Sequence, residues 1–178
     1  MTAGLELQRV TLAVAGRAPL VAGLSLVVGP AEIVTLIGPS GSGKSSLLSF
    51  LTGTLDAAFE ASGRIRLDGE DVTDLPPERR RIGILFQDDL LFPHMTVGEN
   101  LAYALPPSLS GRRLRRERIL AALAEAQLLG FEDRDPATLS GGQRARVAVL
   151  RALLAQPKAL LLDEPFARLD QSLRAQFR

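Results

Sequence analysis

The hydrophobic and polar positions change period several times along this chain, and each change predicts a different element. Leu5, Leu7, Val10, Leu12 and Val14 alternate with less apolar neighbours, as do Leu24, Leu26 and Val28. A period of two predicts half-buried antiparallel strands. Ile33 to Ile37 is a continuous apolar run ending at Gly38, the pattern of a strand buried on both faces. Ser45 to Leu51 reads as a helix, and Ile65 and Leu67 return to a strand before an Asp68-Gly69 turn. Ile82 to Phe86 and Ala159 to Leu162 are two further short, buried-type strands. Between them the helical period takes over, most clearly from Arg112 to Gln127, with Ile119, Leu123 and Ala126 on one face. Pro76-Pro77, Pro106-Pro107 and Pro136 punctuate these segments. The elements add up to an α/β core with an antiparallel edge and a helical subdomain inserted at about 88–138.

Composition narrows the field without naming a function. At 178 residues, 46% of them hydrophobic and 23% charged, the chain has the make-up of a globular domain with a substantial core. Its formal net charge of +1 gives no global electrostatic case for nucleic acid. No apolar run is long enough to span a bilayer, and the first residues have neither the basic nor the apolar region of a secretory signal. The absence of cysteine excludes disulfides, thiolate catalysis and zinc-thiolate sites, and the chain reads as cytosolic.

The chemistry begins at Gly38-Pro39-Ser40-Gly41-Ser42-Gly43-Lys44-Ser45, which fits the phosphate-binding pattern G-x-x-x-x-G-K-[ST] and continues into Ser46. Glycines there let successive backbone N–H groups turn toward an anion at a helix N-terminus. Lys44 is expected to reach the β- and γ-phosphates of ATP, and the Ser45 hydroxyl to coordinate Mg²⁺. Leu160 to Leu162 lead into Asp163 and Glu164, two carboxylates at a strand end. Asp163 suits a hard cation, and Glu164 falls where it can polarise an attacking water. Leu139-Ser140-Gly141-Gly142-Gln143 precedes a helix-forming run, Arg144 to Leu154, with Ser140 as a plausible N-cap. On its own that pentapeptide reads as an ordinary capped helix. Gln87 alone reads as a surface residue at a strand end.

Taken in order, GPSGSGKSS, LFQ, LSGGQ and LLLDEP resemble the ATP-binding subunit of an ABC transporter, from about Leu5 to Arg178. That resemblance implies a P-loop NTPase core, RecA-like with a mostly parallel sheet, as one ATP-binding domain over residues 1–178. It makes Glu164 the general base and Gln87 a sensor of Mg²⁺ or the attacking water. Ser140, Gly141, Gly142 and Gln143 would cap the γ-phosphate held by a second copy of the chain. Asp170 matches a loop that follows the base, and Val14 occupies the place where the family stacks an aromatic residue on adenine, which weakens the expectation of base discrimination. The stretch from Phe86 to Leu105 is similar to binding-protein-dependent importers, where it borders the groove for a membrane subunit. The implied function is to energise a permease importing a small solute from the cytoplasmic face of the membrane, with a solute-binding protein as indirect partner and no nucleic acid. The alternatives are a non-transport ABC ATPase of DNA repair or translation, and a nucleotide-binding fragment without turnover. Only 14 residues follow Glu164, fewer than the family carries, so the chain reads as incomplete and poorly active alone. The arginines between Arg112 and Arg118 read as a solvated helix face, and His94 as a loop residue.

Overall fold

A computed structural model describes residues 4–86 and 88–163. They fall into two compact units that divide after Ile84. In the first unit, β1 (Leu5–Val14), β2 (Val21–Val28), β3 (Phe59–Leu67) and β4 (Glu70–Asp71) form an antiparallel sheet in the order β2-β1-β3-β4. The predicted alternation holds: Leu5, Leu7, Val10 and Leu12 are buried, as are Ile65 and Leu67 opposite them. Pairing runs Leu5↔Leu67 to Gln8↔Arg64, then shifts before Thr11↔Ser62. The shift is a bulge in which Arg9 has φ +50° and Gly63 φ +106°. A Cβ on Gly63 would lie 2.6 Å from the Val10 Cα, so only glycine lets the strands close there. Asp68 and Gly69 both have positive φ, the geometry of a two-residue hairpin, and join β3 to β4. This unit also holds α1 (Lys44–Thr52) and the single turn α2 (Pro77–Arg80).

One expected strand is not there. Ile33 to Ile37 forms no strand, and Ile33 and Ile37 are 92% and 93% exposed. A continuous apolar run becomes a strand only when neighbours supply its ladder hydrogen bonds, and no described strand pairs with it.

In the second unit, α3 (Val97–Ala104) packs on α4 (Arg112–Glu125) and α5 (Gly141–Leu154). Val97, Leu101, Leu123, Leu128 and Val147 form the dry centre of this cluster. Ile119 and Leu123 of the predicted face are buried and Ala126 packs against them, although α4 stops two residues short of the expected end, where Gln127 turns to φ +58°. The start of α3 is fixed by a capping box: Thr96 Oγ1 accepts from Glu99 N, and Thr96 N donates to Glu99 Oε2 at 2.8 Å. Two short strands complete the described elements, β5 (Ile82–Leu85) at the boundary of the units and β6 (Ala159–Leu162) in the second.

Candidate nucleotide site and signature motif

The loop from Gly38 turns tightly and opens α1 at Lys44. Gly41 and Gly43 have φ +78° and +89°, conformations that cost a residue with a Cβ about 1–2 kcal/mol. Gly43 is doubly constrained, because its Cβ would lie 3.0 Å from that of Leu20 and 3.3 Å from Val21 Cγ2. The start of β2 therefore packs on the loop, a contact the motif itself does not announce. Gly38 is close-packed too, since a Cβ there would meet Ser42 Oγ at 2.9 Å. Lys44 Nζ donates to Gly38 O at 2.8 Å and Pro39 O at 2.9 Å, so the ammonium curls over its own loop. Ser45 is exposed, Ser46 half-buried, and the first turn of α1 carries no acidic residue to compete with an anion. Pro39 and Ser40 are exposed at the loop's rim, and Ser42 N donates back to Pro39 O at 3.3 Å.

Val14 lies at the end of β1, directly opposite Phe59 of β3. Directly opposed residues share a face of the sheet. The sequence reading sees an aliphatic residue at this place; the register shows an aromatic ring on the neighbouring strand.

Within the second unit, Asp163 follows β6 and is half-buried, its N–H donating to Leu85 O at 2.9 Å. Its carboxylate ends an apolar strand, as expected. Ser45, in the first unit, carries a hydroxyl and Asp163, in the second, a carboxylate; each is a hard oxygen donor of the kind that Mg²⁺ takes. Gln87, Glu164 and Asp170 lie outside the described residues.

Ser140 is the N-cap of α5, and its partner is Gln143: Ser140 Oγ accepts from Gln143 N at 3.3 Å, and Ser140 N donates to Gln143 Oε1 at 2.9 Å. The two polar residues of the motif thus close a capping box. Gly141 and Gly142 sit in the first turn with ordinary φ, and a Cβ on Gly142 would meet nothing within 4 Å. Neither the backbone nor the local packing requires glycine at Gly142.

Beside this motif the 88–96 loop is tied down by residues the sequence reading did not single out. Asn100 is fully buried; its Oδ1 accepts from Phe92 N at 2.8 Å, and its Nδ2 donates to the carbonyls of Phe92, Met95 and Thr96. Arg144 reaches Leu139 O at 2.7 Å and Asp89 Oδ2 at 3.3 Å, joining the signature helix to the loop. Arg151 lies over the Phe92 ring at 5.2 Å, and burial lowers the pKa of its guanidinium. An open groove of about 370 Å³ results, lined by Leu90, Leu91, Pro93, Pro136 and Ala137, with Asp89 and Arg144 at its polar side. Leu90 is 55% exposed and takes φ +45°. His94 is an exposed loop residue with its ring 6.0 Å from that of Phe92.

The G-x-x-x-x-G-K-S loop that opens α1 with Lys44, and the LSGGQ pentapeptide that caps α5, are the sequence motifs of a P-loop NTPase of the ABC kind. The family model for ABC transporters matches residues 21–167, and the chain belongs to that family. It is 54% identical over 159 residues to the uncharacterised ABC transporter ATP-binding protein YnjD of Escherichia coli K12, covering 89% of this chain and 73% of that one. It is 43% identical to the Fe(3+) ions import ATP-binding protein FbpC 1 of Haemophilus influenzae, covering 98% of this chain and 52% of the relative. With the probable sulfate/thiosulfate import ATP-binding protein CysA of Chlorella vulgaris it shares 47% identity, over 87% and 64% of the two chains. The chain therefore spans about half to three-quarters of these relatives' lengths. Among solved structures, a bacterial Atm1-family ABC exporter with ATP bound superposes with a TM-score of 0.78 at 29% identity, covering 98% of this chain and 31% of the exporter. The fold is that of an ABC ATPase. No helix among the described residues is long and apolar enough to cross a membrane.

Proposed function

We propose that this chain binds and hydrolyses Mg-ATP to energise a separate membrane permease that imports a small solute. The observation that carries the reading is the P-loop itself: two left-handed glycines, close packing against β2, and Lys44 at the first position of α1. The Lys44 ammonium would exchange the carbonyls of Gly38 and Pro39 for β- and γ-phosphate oxygens, with backbone N–H groups of residues 41–45 completing the cradle. Residues 38–46 are the nucleotide-binding segment, with Val14 toward the base. Ser45, Gln87 and Asp163 would hold Mg²⁺, which would supply charge neutralisation to the phosphates. Glu164 accepts the proton of the attacking water as its oxygen bonds to the γ-phosphorus and the bridge to ADP breaks.

Two copies of the chain would complete each site. Gly142 is glycine without a local need, and the N-terminus of α5 suits an anion approaching along its axis. We assign Ser140, Gly141, Gly142 and Gln143 to the γ-phosphate of the partner copy, with Asp170 in the loop beside the base, as the arrangement of ABC ATPases implies. The domain would span residues 1–178, with its helical insertion at about 88–138. The import direction is supported by the names of the iron and sulfate relatives, and the place of action would be the cytoplasmic face of the cell membrane, a solute-binding protein being served indirectly.

The groove at Leu90 is the expected seat of the permease. A photo-crosslinker placed at Leu90 or His94 should capture a cytoplasmic loop of a membrane subunit encoded beside this chain. Capture from the Arg112 to Arg118 helix face instead, dependent on nucleic acid, would overturn the transport reading in favour of a DNA- or RNA-associated ATPase.

A further inference from the structure

The P-loop helix has a second end, and a buried guanidinium holds it. Arg80 is 7% exposed. Its Nη1 donates to Phe50 O at 2.8 Å and Leu51 O at 3.1 Å, two carbonyls in the last turn of α1, the first of which also accepts from Gly53 N at 3.1 Å. Its Nε donates to Leu75 O at 2.7 Å and its Nη2 to Thr73 O at 2.6 Å. All four hydrogen bonds end on backbone carbonyls, and they join the C-terminus of α1 to the segment that follows β4.

The surroundings are shaped to this group. Gly53, the residue after α1, has φ +79°, and a Cβ on it would lie 2.7 Å from the Arg80 Nε. Any side chain there would have to push the guanidinium off the helix end. Burying a charge is costly, and packing alone would be served as well by an aliphatic residue. What an aliphatic residue lacks is a positive charge at the negative end of the helix dipole and a planar fork that spans several carbonyls. Arg79 and Arg81, on either side, are exposed, so the requirement falls on the middle arginine of the three.

We propose that Arg80 is a positioning residue for the P-loop, setting the depth and tilt at which Lys44 and Ser45 meet the phosphates. α1 is only nine residues, about 13 Å long, with Lys44 at its first position and the Arg80 contacts in its last turn. So short a rod carries a displacement at one end to the other. Arg80 also lies two residues before β5, whose far end leads through Phe86 to Gln87.

The proposal rests on the P-loop being the nucleotide site, and the test separates the two. Binding of a fluorescent ATP analogue is measured on the full chain, below each variant's melting temperature, for wild type, Lys44→Ala, Arg80→Lys and Arg80→Ala, with amide exchange followed in parallel. Arg80→Lys keeps the charge but cannot span the four carbonyls. It should weaken binding by about tenfold and speed exchange in residues 44–53 while the β1–β3 ladder stays protected. Added guanidinium at millimolar concentration, against matched potassium, should restore part of the affinity of Arg80→Ala. Wild-type affinity in the folded Arg80→Lys protein would overturn the proposal and leave Arg80 a purely structural cap. If wild type and Lys44→Ala bind alike, the nucleotide reading fails, and the positioning role that rests on it is overturned with it.

Discussion

Replacing Lys44 by alanine is expected to cut ATP affinity by one to two orders of magnitude while leaving the far-ultraviolet circular dichroism unchanged. The ammonium makes two hydrogen bonds at 2.8 and 2.9 Å, both to carbonyls of its own loop. On binding, these would be replaced by charge-assisted bonds to phosphate, and hydrogen bonds to a charged group contribute about 1.5–3 kcal/mol. A factor of ten corresponds to about 1.4 kcal/mol, which sets the expected range. The fold should be indifferent, because the glycine torsions and the packing of Gly43 on Leu20 do not involve the lysine side chain. Calorimetric titration with Mg-ATP is the check. Undiminished affinity would remove Lys44 from the site.

Asn100→Leu should destabilise the helical unit by about 2–4 kcal/mol in urea unfolding. Leucine keeps the branched four-atom side chain, and its bulkier methyl groups add strain at this fully buried position. The loss is polar. Phe92 N, Phe92 O and Met95 O would each lose the amide that now serves them at 2.8–3.2 Å. Thr96 O retains the Asn100 backbone N–H at 2.9 Å and Phe92 O that of Met95 at 3.2 Å, so Phe92 N and Met95 O would suffer most. The 88–96 loop should then exchange its amides faster, and cross-linking from Leu90 should weaken. A change below about 1 kcal/mol would mean that the loop is held by Arg144 and Arg151 and not by Asn100.

Local signals in the sequence carried a large part of this. Alternation at Leu5 to Val14, the Asp68-Gly69 turn, the helical face of Ile119 and Leu123, and the N-cap at Ser140 are each decided within a few residues, and each is found in the structure. The failures share a cause in non-local pairing. Ile33 to Ile37 has the composition of a buried strand, but a strand exists only with a partner. Arg80 is invisible between two other arginines, because burial is conferred by Phe50, Leu51 and Gly53 some 30 residues earlier. Phe59 gains interest only once the register sets it against Val14. The capping box at Thr96 and Glu99 that starts α3 is a local signal not used in the sequence reading, whereas the role of Asn100 in that helix depends on the path of the loop that folds back over it.

The central claim is that one copy supplies the P-loop and a second supplies the Ser140 to Gln143 motif to the same nucleotide. The most direct test is the mass in solution of the Glu164→Gln protein by size exclusion with light scattering. Without the base, bound ATP should persist, and the account predicts the mass of two chains with Mg-ATP and of one chain with Mg-ADP. A single-chain mass at saturating Mg-ATP, with ATP demonstrably bound, would contradict it.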